Sequence, residues 1–113
     1  MICKNNYDTV LCASRHDVLN SMGEKIEDSI FPEVCKLNVQ FLDEQAKAYL
    51  ETYSATIKEK KQTETAILNV YVTGFSPALV SLVNVRNTQF KQVNLVLWHY
   101  NLFTGAYTPQ VVL

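Results

Sequence analysis

Residues 66–83 run Ala-Ile-Leu-Asn-Val-Tyr-Val, then Thr-Gly-Phe-Ser-Pro, then Ala-Leu-Val-Ser-Leu-Val. The first part is apolar, rich in β-branched residues and of strand length. The break carries turn and cap residues. Gly74 permits a tight turn or a positive φ. Ser76 is an N-cap type, and Pro77 suits a first helical position, where a missing N–H costs nothing. The stretch predicts a strand over residues 66–72, a turn at Thr73-Gly74-Phe75, and a largely buried helix starting at Ser76-Pro77. A strand feeding directly into a buried helix is the unit from which parallel α/β sheets are made.

The rest of the chain repeats the alternation. Residues 8–14 form a continuous apolar run, as in strands covered on both faces. From Asp17 the spacing changes to four: Val18, Met22, Ile26 and Ile30, a helical stripe capped by Asp17 and ended at Phe31-Pro32. Residues 34–40 alternate, with Val34, Lys36, Asn38 and Gln40 facing one way and Cys35, Leu37 and Val39 the other, which reads as a half-exposed strand. Asp43 is placed to cap the longest helix, running to about Lys61, with Ala46, Tyr49, Leu50, Tyr53 and Ile57 as its apolar stripe. Lys58, Lys60 and Lys61 fall in its last turn, where the helix dipole favours cations. Residues 93–100 read as another strand, Phe103-Thr104-Gly105 as a hairpin turn, and residues 106–113 as a returning antiparallel edge strand. Pro109 suits an edge.

The expected order is thus β-α-β-α-β-α-β with a final hairpin strand. It implies a single α/β domain over residues 1–113, three-layered and Rossmann-like, with a mostly parallel sheet between helices. A hydrophobic content of 48 % in 113 residues supports a real core.

Charge and cysteine usage narrow the function classes. Ten basic and eleven acidic residues leave a formal charge of -1, without the basic face that duplex nucleic acid requires. The cluster Lys58, Lys60 and Lys61 is interrupted by Glu59, as on a solvated helix end. Cys3, Cys12 and Cys35 are odd in number and lack metal-ligand spacing, so free thiols in a reducing compartment are expected. The start Met1-Ile2-Cys3-Lys4 turns polar at once, and no apolar run approaches the ~20 residues of a membrane span. A cytoplasmic protein without a membrane partner is the expectation.

In a parallel sheet all carboxyl ends share one rim, and ligands bind there. Ser14-Arg15-His16 would end the first strand, Thr73-Gly74 the third, and His99-Tyr100-Asn101 the fourth. Arg15 can grip a phosphate through its planar fork, or be a surface arginine. His16 can exchange protons near neutrality, or begin a helix. Ser14 can orient a ligand or bond within its turn. Thr73, Gly74, Phe75 and Ser76 precede a helix whose free N–H groups attract anions. His99 and Asn101 complete the candidate ligand contacts, although a packed histidine and a turn asparagine are the plainer readings. Trp98, Tyr100, Phe103 and Tyr107 can stack on a base, or on each other or across a dimer. No histidine–carboxylate cluster suggests a metal. The G-x-S-x-G elbow and the G-x-G-x-x-G fingerprint are absent, which argues against a serine hydrolase and a dinucleotide cofactor.

With "CASRH" at residues 12–16 and "VTGFSPA" at residues 72–78, the layout of residues 8–101 resembles the nucleotide-sensing domains of CRISPR systems called CARF domains. Their stand-alone relatives include ring nucleases that cleave cyclic oligoadenylates. Those domains often carry a second glycine and a basic residue after Thr-Gly, where this chain has Phe75 and Ser76. The resemblance implies an antiviral-defence protein, a homodimer with ligand across the two-fold axis, and metal-independent cleavage by a ribose 2′-hydroxyl. It implies charge stabilisation by Arg15 and the backbone of residues 74–76, orientation by Ser14, and proton donation by His16. A non-catalytic sensor or sponge is the alternative, and a structural protein that associates through its aromatic hairpin is the third.

Overall fold

A computed structural model describes residues 9–13, 19, 24–26, 28–31, 38–61, 66–73 and 76–113. Its elements run β1 (Thr9–Ala13), β2 (Ser29–Phe31), α1 (Val39–Glu59), β3 (Ile67–Tyr71), α2 (Ser76–Gln89), β4 (Asn94–Asn101) and β5 (Ala106–Val112). One five-stranded sheet has the order β2-β1-β3-β4-β5. The first four strands are parallel, and β5 joins β4 antiparallel as a hairpin.

Strand order fixes where the helices go. The chain passes from β2 over β1 to β3 through α1, then from β3 to β4 through α2. Both steps go the same way across the sheet, so right-handed crossovers put both helices on one face. There Leu42, Ala46, Leu50, Tyr53 and Ile57 of α1 share a core with Ala78, Leu82 and Val85 of α2. The sheet supplies Val10, Cys12, Leu68, Val70, Leu95 and Leu97. The step from β1 to β2 goes the other way. Ile26, from that connection, packs on the opposite face against Leu11, with Tyr71 and Tyr107.

Three expectations change. The helix expected from Asp17 through Ile30 does not reach its end: Ser29–Phe31 is a strand, and Leu19 and Lys25 form an isolated antiparallel bridge. Ile26 and Ile30 bury in different clusters, on opposite sides of the sheet in the case of Ile26, so no single helical stripe joins them. Asp17, Val18 and Met22 lie outside the described residues. The strand expected over residues 34–40 gives way at its end to α1, and residues 34–37 lie outside the described residues. Asn38, not Asp43, caps that helix; its Oδ1 accepts a bond from the Phe41 N–H at 3.1 Å. The apolar stripe starts one turn earlier than Ala46, at Leu42, and the helix must begin before it. Finally, among the described residues the two helices form one layer on one face of a mixed sheet. Among the described residues the elements run β-β-α-β-α-β-β, against the expected three helices between four strands.

The other boundaries move little. The strand expected over 66–72 is Ile67–Tyr71, and that over 93–100 is Asn94–Asn101. α2 takes in Ser76 as its first residue, one position earlier than a Ser76 cap would give. The β4–β5 loop closes with a 2.8 Å bond from the Gly105 N–H to the Asn101 carbonyl, and Gly105 has a φ of 71°. That left-handed conformation is where glycine belongs.

Candidate functional site

The strand order reverses between β1 and β3: the chain leaves β1 toward β2 on one side and β3 toward β4 on the other. Such switch points leave a crevice at the carboxyl ends of the two strands. Thr73 joins the ends of β1 and β3 there. Its hydroxyl accepts from the Ala13 N–H at 3.1 Å and donates to the Ala13 carbonyl. Thr73 and Ala13 are both buried. The threonine side chain thus does what a ladder residue would do, continuing β1–β3 pairing one step past Tyr71. The chain therefore departs for Ser14-Arg15-His16 and for Gly74-Phe75-Ser76 from two points in direct contact. Ser14, Arg15, His16, Gly74 and Phe75 lie outside the described residues.

Of the remaining candidate contacts, Thr73, His99 and Asn101 have partners within the chain. Thr73 is committed to Ala13. His99 sits on the helix-side face of β4 beyond Leu97, with Nε2 2.8 Å from Oε1 of Gln110. Asn101 accepts the Phe103 N–H through Oδ1 at 2.9 Å, a turn-forming contact. Ser76 is exposed at the start of α2, whose first turn contains no acidic residue. Free N–H groups at that helix start carry partial positive charge. Among the described residues, Thr73 lies at the switch point and Ser76 begins α2, whereas His99 and Asn101 lie on the hairpin that projects past it. β3 ends opposite Trp98, and the last three residues of β4 pair only with β5.

The aromatic residues do not form an open stacking slot. Tyr71 and Trp98 lie face to face, with centroids 5.9 Å apart and planes at 13°. Tyr107 meets Tyr71 edge-on at 4.9 Å and Tyr100 edge-on at 5.5 Å. Trp98 donates its indole N–H to Oδ1 of Asn69 at 2.9 Å. Burial pushes the Tyr107 hydroxyl above its ordinary value of 10.0, and Tyr71 and Tyr100 push it the same way. These rings spend their faces on one another, in a cross-strand ladder that fixes the β3–β4–β5 register. Phe103, on the hairpin tip, is 99 % exposed and takes no part in it.

Two further groups went unnoticed in the sequence. Arg86 is buried in the last turn of α2, where Nε donates to the Val93 carbonyl at 3.0 Å, Nη1 to Oδ1 of Asn87 at 2.8 Å and Nη2 to the Lys91 carbonyl at 3.3 Å. It ties the end of α2 to the start of β4, at the end of the sheet away from the switch point. Asn69 orients Trp98. Neither shows in spacing, since an arginine on a helix and an asparagine in a strand acquire partners only when elements assemble. Cys12 is buried, and burial raises its thiol from 9.0 to about 12, so it is a core residue rather than a nucleophile. No group of three or more His, Cys, Asp or Glu able to hold a metal occurs among the described residues, and no described helix is long and apolar enough to cross a membrane.

No family model, curated protein or solved structure matches this chain.

Proposed function

We propose that this protein binds a small phosphate-bearing nucleotide signal at the β1/β3 switch point. The observation that carries the reading is the Thr73–Ala13 pair of hydrogen bonds. It supports a site in which residues 14–16 and 74–76 converge, beside a helix start free of acidic side chains. Arg15 supplies the guanidinium fork, and the N–H groups of residues 74–76 supply fixed dipoles. A Rossmann-like third layer, formed by the β1–β2 connection on the face where Ile26 packs, would wall the crevice on its second side.

The catalytic form of the reading is a metal-independent cleavage of a cyclic oligoadenylate. A ribose 2′-oxygen attacks the adjacent phosphorus, the bond to the 5′-oxygen breaks, and the 2′-hydroxyl proton leaves to solvent. His16 donates a proton to the leaving 5′-oxygen, Ser14 orients the phosphate, and Arg15 stabilises its charge. The products are a 2′,3′-cyclic phosphate and a 5′-hydroxyl. Positioning and charge stabilisation suffice for such a step. A second reading, a non-catalytic sensor or sponge, is favoured by one observation. Thr73, His99 and Asn101 are bonded within the chain, which leaves binding to main-chain N–H groups and Arg15.

Incubating the protein with labelled cyclic oligoadenylates in the presence of a chelator separates the two. Linear products with cyclic phosphate ends, lost in His16→Ala, support cleavage; binding without turnover supports the sensor. Unchanged binding of every nucleotide tested by Arg15→Ala and Ser76→Ala sinks both.

A further inference from the structure

We propose that the open face of β3, β4 and β5 packs against the same face of a second copy of this chain. Side chains alternate along a strand, so the positions opposite the helices can be read from register. They are Ile67, Asn69 and Tyr71 on β3, then Asn94, Val96, Trp98 and Tyr100 on β4, then Tyr107, Pro109 and Val111 on β5. All but Asn69 and Asn94 are apolar or aromatic; the Asn69 side chain is bonded to Trp98, and Asn94, at the start of β4, donates to the Ala66 carbonyl. Yet Ile67, Tyr100 and Val111 are 45 %, 52 % and 63 % exposed, and the hairpin tip adds Leu102 at 84 %. A sheet face of this composition needs a cover.

Charge identifies the occupant. None of the chain's ten basic and eleven acidic residues falls within residues 92–113, and none occupies the three β3 positions. His99 points to the other face, with Gln110. A polyanion or a charged peptide would find no counter-charge here. Aromatic enrichment with charge depletion is the composition of an interface core. A two-fold contact sets each patch against itself, and a patch without charge does so with no like-charge repulsion. The ladder of Tyr71, Trp98 and Tyr107 has closed its ring faces, so it offers a packed surface rather than a slot for a base.

The contact is by face and not by added strand. The Trp98 carbonyl accepts from the Val72 N–H at 2.9 Å, so the backbone of Trp98 is turned toward β3. Its partner Pro109 therefore turns its nitrogen to the free edge of the sheet. The missing N–H falls in the middle of that edge and blunts it against strand addition.

Sedimentation velocity over a range of concentrations tests the proposal. The expected result is a species of twice the 12.9 kDa chain mass. Val111→Lys and Tyr100→Lys, both at exposed positions, raise its dissociation constant by about tenfold or more, because two like charges then face each other across the axis. Val80→Lys, at a 57 % exposed position on α2, leaves it unchanged. Circular dichroism shows all three variants folded. A single-chain mass at every concentration overturns the proposal. So does a dimer that survives Val111→Lys and Tyr100→Lys but is lost in Val80→Lys.

Discussion

The two faces of the central sheet are built from similar residues and end differently. On the helix side, Val10, Leu68, Val70 and Leu95 are sealed beneath α1 and α2. On the other side, Tyr71, Val96, Trp98 and Tyr107 are half-buried and Tyr100 and Val111 are exposed. The first face is closed by elements of the same chain, through an apolar stripe on each helix. Among the described residues, the second is closed by Ile26, packed with Leu11, Tyr71 and Tyr107, and by rings packed on rings. Hydrophobicity alone does not decide which residues become core; the direction of the crossovers does.

Substitutions at four positions probe that contrast. Leu68→Ala, at a fully buried position beneath the helices, is expected to cost about 2–5 kcal/mol, because the removed methyl groups leave a cavity that helices and sheet cannot collapse into. Urea denaturation reads it directly, and a loss near zero would show the helix layer to be loosely packed. Thr73→Val keeps the shape but strands the buried N–H and carbonyl of Ala13, at a cost of about 1–3 kcal/mol. Thr73→Ser should restore most of it; equal loss in both variants would locate the effect in the methyl group and not in the latch. Gly105→Ala meets nothing within 4 Å, so its penalty comes from the positive φ alone, about 1–2 kcal/mol. Thermal melts that leave Gly105→Ala at wild-type stability would mean the hairpin loop re-forms without the left-handed residue. Val111→Lys in dilute protein should change stability by no more than ~0.5 kcal/mol. A larger loss there would erase the contrast, since it would place Val111 in a sealed core.

The legible parts of the fold were those whose signal is local. The stripe Ala46, Leu50, Tyr53 and Ile57 repeats at helical spacing for about three turns, and α1 follows it. The break at residues 73–77 marks the passage from β3 into α2, and Gly105 marks the hairpin. β2 was illegible, because three residues carry no period and Ile26 and Ile30 happen to stand four apart. Asn38 was hidden as a cap by the alternation around it. In the candidate site, sequence grouped Ser14-Arg15-His16 with Thr73-Gly74 by assuming a shared rim. The structure adds the hydrogen bonds that join Ala13 to Thr73, which no spacing encodes. His99 and Asn101 belonged to the same rim by strand direction, but their side chains found Gln110 and the Phe103 N–H first.

By itself the sequence determined the long helix, the strand–helix–strand passage of residues 66–100, the hairpin that follows it, and a stretch from Gln92 to Leu113 without Asp, Glu, Lys or Arg. Those are properties of neighbours along the chain, set by side-chain shape, period and turn chemistry. Only the tertiary structure decided that both described helices cover the same face, that Thr73 serves as a ladder residue for β1, and that the aromatic residues of three strands meet on the uncovered side. The reason is physical: strand order and crossover hand act between segments far apart in sequence, and only assembly selects which of several apolar surfaces is buried.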